Sequence, residues 1–70
     1  MDIEKIIELL SKAENVTYGN ESKFYKYFKK YWQTNRSVYH DKAKKYYRRM
    51  SVAERANVGA LGAYVSEFED

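Results

Sequence analysis

Apolar residues recur at steps of three and four along most of the chain, and strict alternation of apolar and polar residues is hard to find. This periodicity is typical of α-helices, and the sequence contains no proline that would interrupt them. We therefore predict an all-α fold, a compact bundle of three or four short helices at about residues 2–14, 21–33, 37–50 and 52–68.

The first predicted helix begins at Asp2, whose carboxylate can accept hydrogen bonds from the free amides of the first turn. One face of this helix is apolar and consists of Ile3, Ile6, Ile7, Leu10 and Ala13. The triplet Tyr18-Gly19-Asn20 predicts a turn, and Asn20 is the expected N-cap of the second helix.

The second and third predicted helices each have an aromatic side and a basic side. The aromatic arc of the second helix consists of Phe24, Tyr25, Tyr27, Phe28, Tyr31 and Trp32. The corresponding side of the third helix consists of Tyr39, Ala43, Tyr46, Tyr47 and Met50. The segment between them has capping side chains but neither glycine nor proline, so one long bent helix remains an alternative.

The fourth predicted helix has a clear start, because Ser51 and Glu54 have the spacing of a capping box. Its expected core face consists of Ala53, Ala60, Leu61, Tyr64 and Phe68, flanked by Val58 and Val65. A second stripe is made of small residues that let another backbone approach closely, and it includes Val52, Ala56, Gly59 and Ala63. This stripe predicts self-association, and a homodimer is the commonest form.

Positive charge is concentrated in the middle of the chain. Ten lysines and arginines lie between Lys23 and Arg49, where Asp41 is the single acidic residue. The segments before and after this stretch each have a net charge of −3. The net charge of +3 is therefore the sum of a basic middle and two acidic ends. Such an excess requires either acidic segments beside it or an acidic partner.

Length and composition limit the class of protein. Seventy residues form one domain, and 44% apolar with 33% charged residues indicate a folded, water-soluble chain. The absence of cysteine excludes disulfides, thiolate catalysis and thiolate-bound metals. The first residues lack the features of an export signal, so we expect a cytoplasmic protein without a membrane span.

Residues suited to catalysis are scarce. His40 is the only histidine, and no serine, cysteine or second histidine accompanies it in a recognisable arrangement. We expect His40 to be a boundary residue packed on a tyrosine. Glu4 and Glu8 share a helix face that is better explained as solvated surface, and no glycine-rich phosphate loop is present. The sequence therefore predicts no enzyme activity, no cofactor and no metal site.

The basic faces predict a small protein that binds nucleic acid, because cations repeated along a helix can contact successive phosphates. The expected binding residues are Lys26, Lys29, Lys30, Arg36, Lys44, Lys45, Arg48 and Arg49. Tyr25 and Trp32 lie at the edge of the aromatic arc, where exposed rings would stack on unpaired bases. This stacking favours single-stranded nucleic acid or RNA as the partner.

Three alternatives remain open at this stage. The chain can be a small protein-interaction or inhibitor module, of the viral or mobile-element accessory type, that docks on an acidic or functional protein surface. Residues 23–33 also resemble a membrane-surface helix, although their aromatic side is needed for the core. Finally, an AT-rich genome explains much of the composition, but it does not explain why the positive charges are confined to the middle of the chain.

Overall fold

The computed structural model describes residues 2–59. The described part is all-α, as predicted, and contains four helices: α1 (Ile3–Asn15), α2 (Gly19–Thr34), α3 (Ser37–Arg49) and α4 (Val52–Gly59). Within this part, every helix is too short or too polar to cross a lipid bilayer.

The start of α1 follows its sequence signal. Asp2 Oδ1 accepts hydrogen bonds from the backbone amides of Glu4 and Lys5 at 3.1 and 3.3 Å. Two side-chain hydrogen bonds then hold the end of α1, one from the connection to α2 and one from α2 itself. Thr17 Oγ1 donates to Ala13 O at 2.7 Å, and Ser22 Oγ donates to Glu14 O at 3.3 Å.

The prediction that Asn20 caps α2 is wrong. The helix begins two residues earlier than predicted, at Gly19, whose φ of 67° provides the sharp turn out of the preceding loop. Asn20 lies inside the first turn, and its Nδ2 donates to the backbone oxygen of Arg49 at 3.4 Å. This contact joins the start of α2 to the end of α3, so the two helices run antiparallel.

Asn35 separates α2 from α3 and excludes the single bent helix. It adopts a left-handed conformation with φ 57° and ψ 27°, and its backbone N–H donates to Tyr31 O at 2.7 Å. Asparagine tolerates this conformation better than other residues with a Cβ atom. Arg36 is extended, and α3 begins at Ser37.

The core forms around α2, which packs against α1 on one side and α3 on the other. Its largest fully buried side chains are Phe24 and Phe28, which pack with Ile6 and Leu10 of α1 and with Val58 of α4. The aromatic residues of the middle helices therefore pack against aliphatic residues of the outer two, as the sequence predicts. Ala43, Tyr47 and Met50 complete the buried cluster on the α3 side.

The junction between α3 and α4 is held by capping on both sides. The predicted capping box is confirmed: Ser51 N donates to Glu54 Oε1 at 2.9 Å, and Glu54 N donates to Ser51 Oγ at 3.2 Å. Arg55 reaches back to the last turn of α3, donating to Tyr47 O at 3.3 Å and Arg48 O at 3.0 Å. These bonds satisfy carbonyls that the end of a helix leaves free.

The predicted core face of α4 is partly wrong in its described half. Val58 is fully buried but Ala53 is exposed. The two residues are about 140° apart around a helix, so both cannot point to the centre of the core. The other predicted members of this face lie outside the described residues, as does the predicted continuation of the helix to residue 68.

Candidate nucleic-acid interface

Three tyrosine rings form a row across the groove between α2 and α3. Tyr27 of α2 lies in the middle, with Tyr46 of α3 on one side at 5.6 Å between ring centroids and 2° between ring planes. Tyr39 of α3 lies on the other side at 6.4 Å and 16°. All three rings are half-buried, so their packing joins the two helices while part of each ring still reaches the surface.

Six basic side chains surround this row, each within about 6 Å of a tyrosine ring centroid. Three come from each helix, and five are exposed while Lys30 is half-buried. They are Lys23, Lys26 and Lys30 of α2 and Lys42, Lys45 and Arg49 of α3. We call these six residues, together with Tyr27, Tyr39 and Tyr46, the cationic tyrosine surface.

Some of these contacts cross between the helices. Lys23 Nζ of α2 lies 5.5 Å from the ring centroid of Tyr46, and Lys42 Nζ of α3 lies 5.2 Å from that of Tyr27. Lys30 Nζ lies 5.6 Å from the ring centroid of Tyr39. At successive levels of the antiparallel pair, a cation of one helix thus faces a tyrosine of the other.

The charge of this surface is not neutralised by carboxylates within the described part of the chain. The ion pairs among residues 2–59 are Glu8 with Lys12 and Glu14 with Lys29, and neither includes a member of the surface. Exposed cation–π contacts are worth about 0.5–1 kcal/mol each, so they hold the cations in place without cancelling their charge. The result is a localised positive field that attracts anions.

Four of the predicted binding residues belong to this surface: Lys26, Lys30, Lys45 and Arg49. Lys23 and Lys42 belong to it as well, and the sequence prediction missed them. A signal for both exists in the sequence, because residues 23–30 and 42–49 share the pattern Lys-x-x-Lys-Tyr-x-x-Lys/Arg. The first lysine of each copy is one of the missed residues.

Three other predicted binding residues are exposed elsewhere. Lys44 and Arg48 each lie two residues from Tyr46, which places them about 160° away around α3. Lys45 and Arg49 of the dense basic cluster at the end of α3 therefore belong to the cationic tyrosine surface, whereas Lys44 and Arg48 lie on the neighbouring side of the helix. Arg36 lies in the connection between α2 and α3.

Lys29 does not join the surface. Its Nζ is 2.8 Å from Glu14 Oε1 of α1, and the two side chains are only 22% and 24% exposed. The prediction that Lys29 is available for a ligand is wrong because its side of α2 faces α1. A glutamate from the acidic first segment thus neutralises this lysine of the basic middle segment.

The prediction that Tyr25 presents an exposed ring is also wrong. Tyr25 is 2% exposed and its Oη donates to Glu21 Oε2, itself a buried carboxylate, at 3.2 Å. Burial is the main cause that raises the pKa of Tyr25 well above its ordinary value, and the neighbouring negative charge and hydrogen bond of Glu21 add to it. A buried phenol in this position packs the core and cannot stack on a base.

Trp32 is half-buried and lies away from the cationic tyrosine surface. Its ring contacts Phe28 and Tyr31 edge-on, at 6.0 and 6.1 Å between centroids, about 140° around α2 from Tyr27. Its indole N–H is buried and has no hydrogen-bond acceptor among residues 2–59. The predicted stacking of Trp32 on a base stays a prediction, but this ring and the six cations face different directions.

His40 lies at the boundary of the aromatic region, as expected. Its ring contacts Tyr31 edge-on at 5.0 Å between centroids. Among residues 2–59, no three histidine, aspartate or glutamate side chains lie close enough together to hold a metal ion.

The predicted self-association stripe lies partly within the described helix α4. Val52 is 85% exposed, Ala56 is exposed and Gly59 is half-buried, whereas Ala63 lies outside the described residues. Self-association through this stripe stays a prediction.

Comparison with known proteins adds no further guide to the surface. No protein-family model, no curated protein and no solved structure matches the chain. The cationic tyrosine surface is thus the feature of the described residues that bears most directly on function.

Proposed function

We propose that this protein binds nucleic acid without catalysing a reaction, and that the cationic tyrosine surface contacts the phosphate backbone. The observation that carries the proposal is the gathering of six cations on one side of α2 and α3, with no carboxylate pairing them in the described part of the chain. Each phosphate that such a cation neutralises releases condensed counterions, which favours binding without recognition of any base.

The arrangement of the rings supports phosphate contacts over base stacking. The rings of Tyr27 and Tyr46 pack against each other, and basic groups lie near both rings. Tyr25, one of the two rings expected to stack on bases, is buried. We therefore expect binding that is largely independent of base sequence and falls steeply with salt.

Fluorescence anisotropy with labelled oligonucleotides of mixed sequence tests the proposal. The informative variant is Lys45→Gln with Arg49→Gln, which removes two charges from the surface. Its matched control is Lys44→Gln with Arg48→Gln, which removes two exposed charges that lie outside the cationic tyrosine surface, about 160° around α3 from Tyr46. We expect the first variant to lose at least about ten-fold in affinity at about 0.1 M salt, and the control to lose less than about three-fold.

Two results would contradict the proposal. One is the absence of measurable binding to any oligonucleotide by the wild-type protein. The other is an equal loss of affinity in both double variants, which would mean that net charge alone determines binding. Polyglutamate serves as a probe for the protein-interaction alternative, and tight binding to it without binding to oligonucleotides would favour an acidic protein partner.

A further inference from the structure

The cationic tyrosine surface has an internal approximate two-fold symmetry. The patterns at residues 23–30 and 42–49 occupy α2 and α3, which run antiparallel, so a rotation by half a turn exchanges the two copies. Tyr27 and Tyr46 hold equivalent positions in the two copies, and their nearly parallel rings meet at the centre. An axis passing between these rings relates one half of the surface to the other.

The contacts to the central rings obey this symmetry in pairs. The two contacts across the helices, Lys23 to Tyr46 and Lys42 to Tyr27, measure 5.5 and 5.2 Å. The contacts of Lys26 and Lys45 to the tyrosine of their own helix measure 5.6 and 5.9 Å.

The third pair follows the same rule. Lys30 lies 6.0 Å from the ring centroid of Tyr27, and Arg49 lies 5.8 Å from that of Tyr46. Each central ring is therefore surrounded by three cations in the same arrangement.

Double-stranded nucleic acid has the same kind of symmetry. Its two antiparallel backbones are related by two-fold axes perpendicular to the helix axis, so phosphates on opposite strands lie in equivalent positions about each axis. A single strand has no such axis. Packed helices lie about 8–10 Å apart, between the widths of the minor and major grooves of about 6 and 12 Å, and flexible lysines accommodate the difference.

We infer that the ligand of the cationic tyrosine surface is double-stranded nucleic acid, with one set of three cations on each of the two strands that border a groove. This inference rests on the proposed function and makes it more specific. It replaces the expectation of a single-stranded partner, since that expectation depended in part on an exposed ring at Tyr25.

The charge density of a duplex adds to the preference. The logarithm of the binding constant falls linearly with the logarithm of the salt concentration. Each neutralised phosphate contributes about 0.9 to the magnitude of this slope on duplex DNA but about 0.7 on a single strand. Over six contacts at about 0.1 M salt, this difference corresponds to about ten-fold tighter binding of the duplex. Exposed rings that stack on bases would offset this difference, but the central rings already pack against each other and against cations.

The test is a comparison of a labelled DNA duplex with each of its separated strands, using the full chain at equal salt. Binding of the duplex about ten-fold more tightly than either strand supports the inference. Equal or tighter binding of the single strands overturns it, while the proposed function stands if the surface variant still weakens binding. Failure of every oligonucleotide to bind overturns both.

A second measurement tests the two-sided geometry. Lys26→Gln and Lys45→Gln change equivalent positions in the two halves, and both side chains are exposed. If each half contacts one strand, the two variants lose the same fraction of duplex affinity, about five-fold each at about 0.1 M salt. Loss of affinity in only one of the two variants contradicts a symmetric contact.

Discussion

The ring of Tyr27 lies parallel to the ring of Tyr46 across the contact between α2 and α3, with 5.6 Å between their centroids. This pair packs the two helices together and also provides the aromatic faces near which five lysines and one arginine gather. A contact within the fold thus determines where the positive charge of the middle segment is presented.

Replacement of one central ring tests this link. We expect Tyr46→Leu to weaken nucleic-acid binding by about two- to five-fold, because Lys23, Lys45 and Arg49 lose cation–π contacts worth about 0.5–1 kcal/mol each and become less ordered. Tyr46→Phe keeps the ring face and is the matched control. In anisotropy titrations, the affinity of this control should be within about two-fold of the wild-type affinity. Equal losses of affinity in both variants would show that the ring does not position the cations.

The left-handed residue between α2 and α3 gives a prediction on stability. Asn35→Ala should lower the free energy of unfolding by about 1 kcal/mol, because alanine keeps the Cβ that is unfavourable at a positive φ but lacks the short polar side chain that lets asparagine tolerate this conformation. Asn35→Gly should be tolerated, since glycine has no Cβ. Thermal melts monitored by circular dichroism measure the difference, expected as a fall of about 4–8 °C for alanine alone. Equal melting temperatures in the two variants would show that this backbone conformation is not required.

Local signals in the sequence predicted the helices well. Asp2 and the pair Ser51 and Glu54 carry caps whose chemistry depends only on neighbouring residues, and each makes the expected hydrogen bonds. The sequence does not decide the break at Asn35, because neither glycine nor proline marks it. Its left-handed conformation is visible only in the structure.

The errors at the candidate site have a different cause. A helical projection shows which residues share a side of α2, but it does not show how many neighbours the helix has. Because α2 packs against both α1 and α3, Tyr25 and Lys29 face the protein and not the solvent. The equivalent positions of α3 in the repeated pattern are Lys44 and Arg48, and both are exposed.

The buried phenol of Tyr25 predicts how stability depends on pH. Its pKa is raised in the folded protein, so the unfolded chain loses this proton first as the pH rises above about 10. The resulting contribution to stability is complete below about pH 10 and is lost at higher pH. We expect the unfolding free energy of the wild type to fall more steeply above about pH 10.5 than that of Tyr25→Phe, by up to about 1.4 kcal/mol per pH unit.

Urea unfolding of both proteins across this pH range measures the two slopes. Tyr25→Phe should also be less stable at neutral pH, because Glu21 loses its hydrogen-bond donor, but that offset does not change the slope. Identical slopes above about pH 10 would contradict the assigned shift.

The capping box at the start of α4 gives a separate prediction. Ser51→Ala removes the hydroxyl that accepts from Glu54 N and should cost about 1 kcal/mol of stability. Ser51→Asp keeps an acceptor at the same position and is the matched control. Urea unfolding should give a lower midpoint for alanine alone, and an unchanged midpoint would show that α4 does not depend on this cap.

The most direct test of the central claim is the slope of log affinity against log salt for duplex DNA, because this slope counts the phosphates that the protein neutralises. We predict that Lys45→Gln with Arg49→Gln reduces the magnitude of the wild-type slope by about 1.8, and that Lys44→Gln with Arg48→Gln leaves it nearly unchanged. Equal slopes in the wild type and the first variant, or equal reductions in both variants, would contradict phosphate binding by the cationic tyrosine surface.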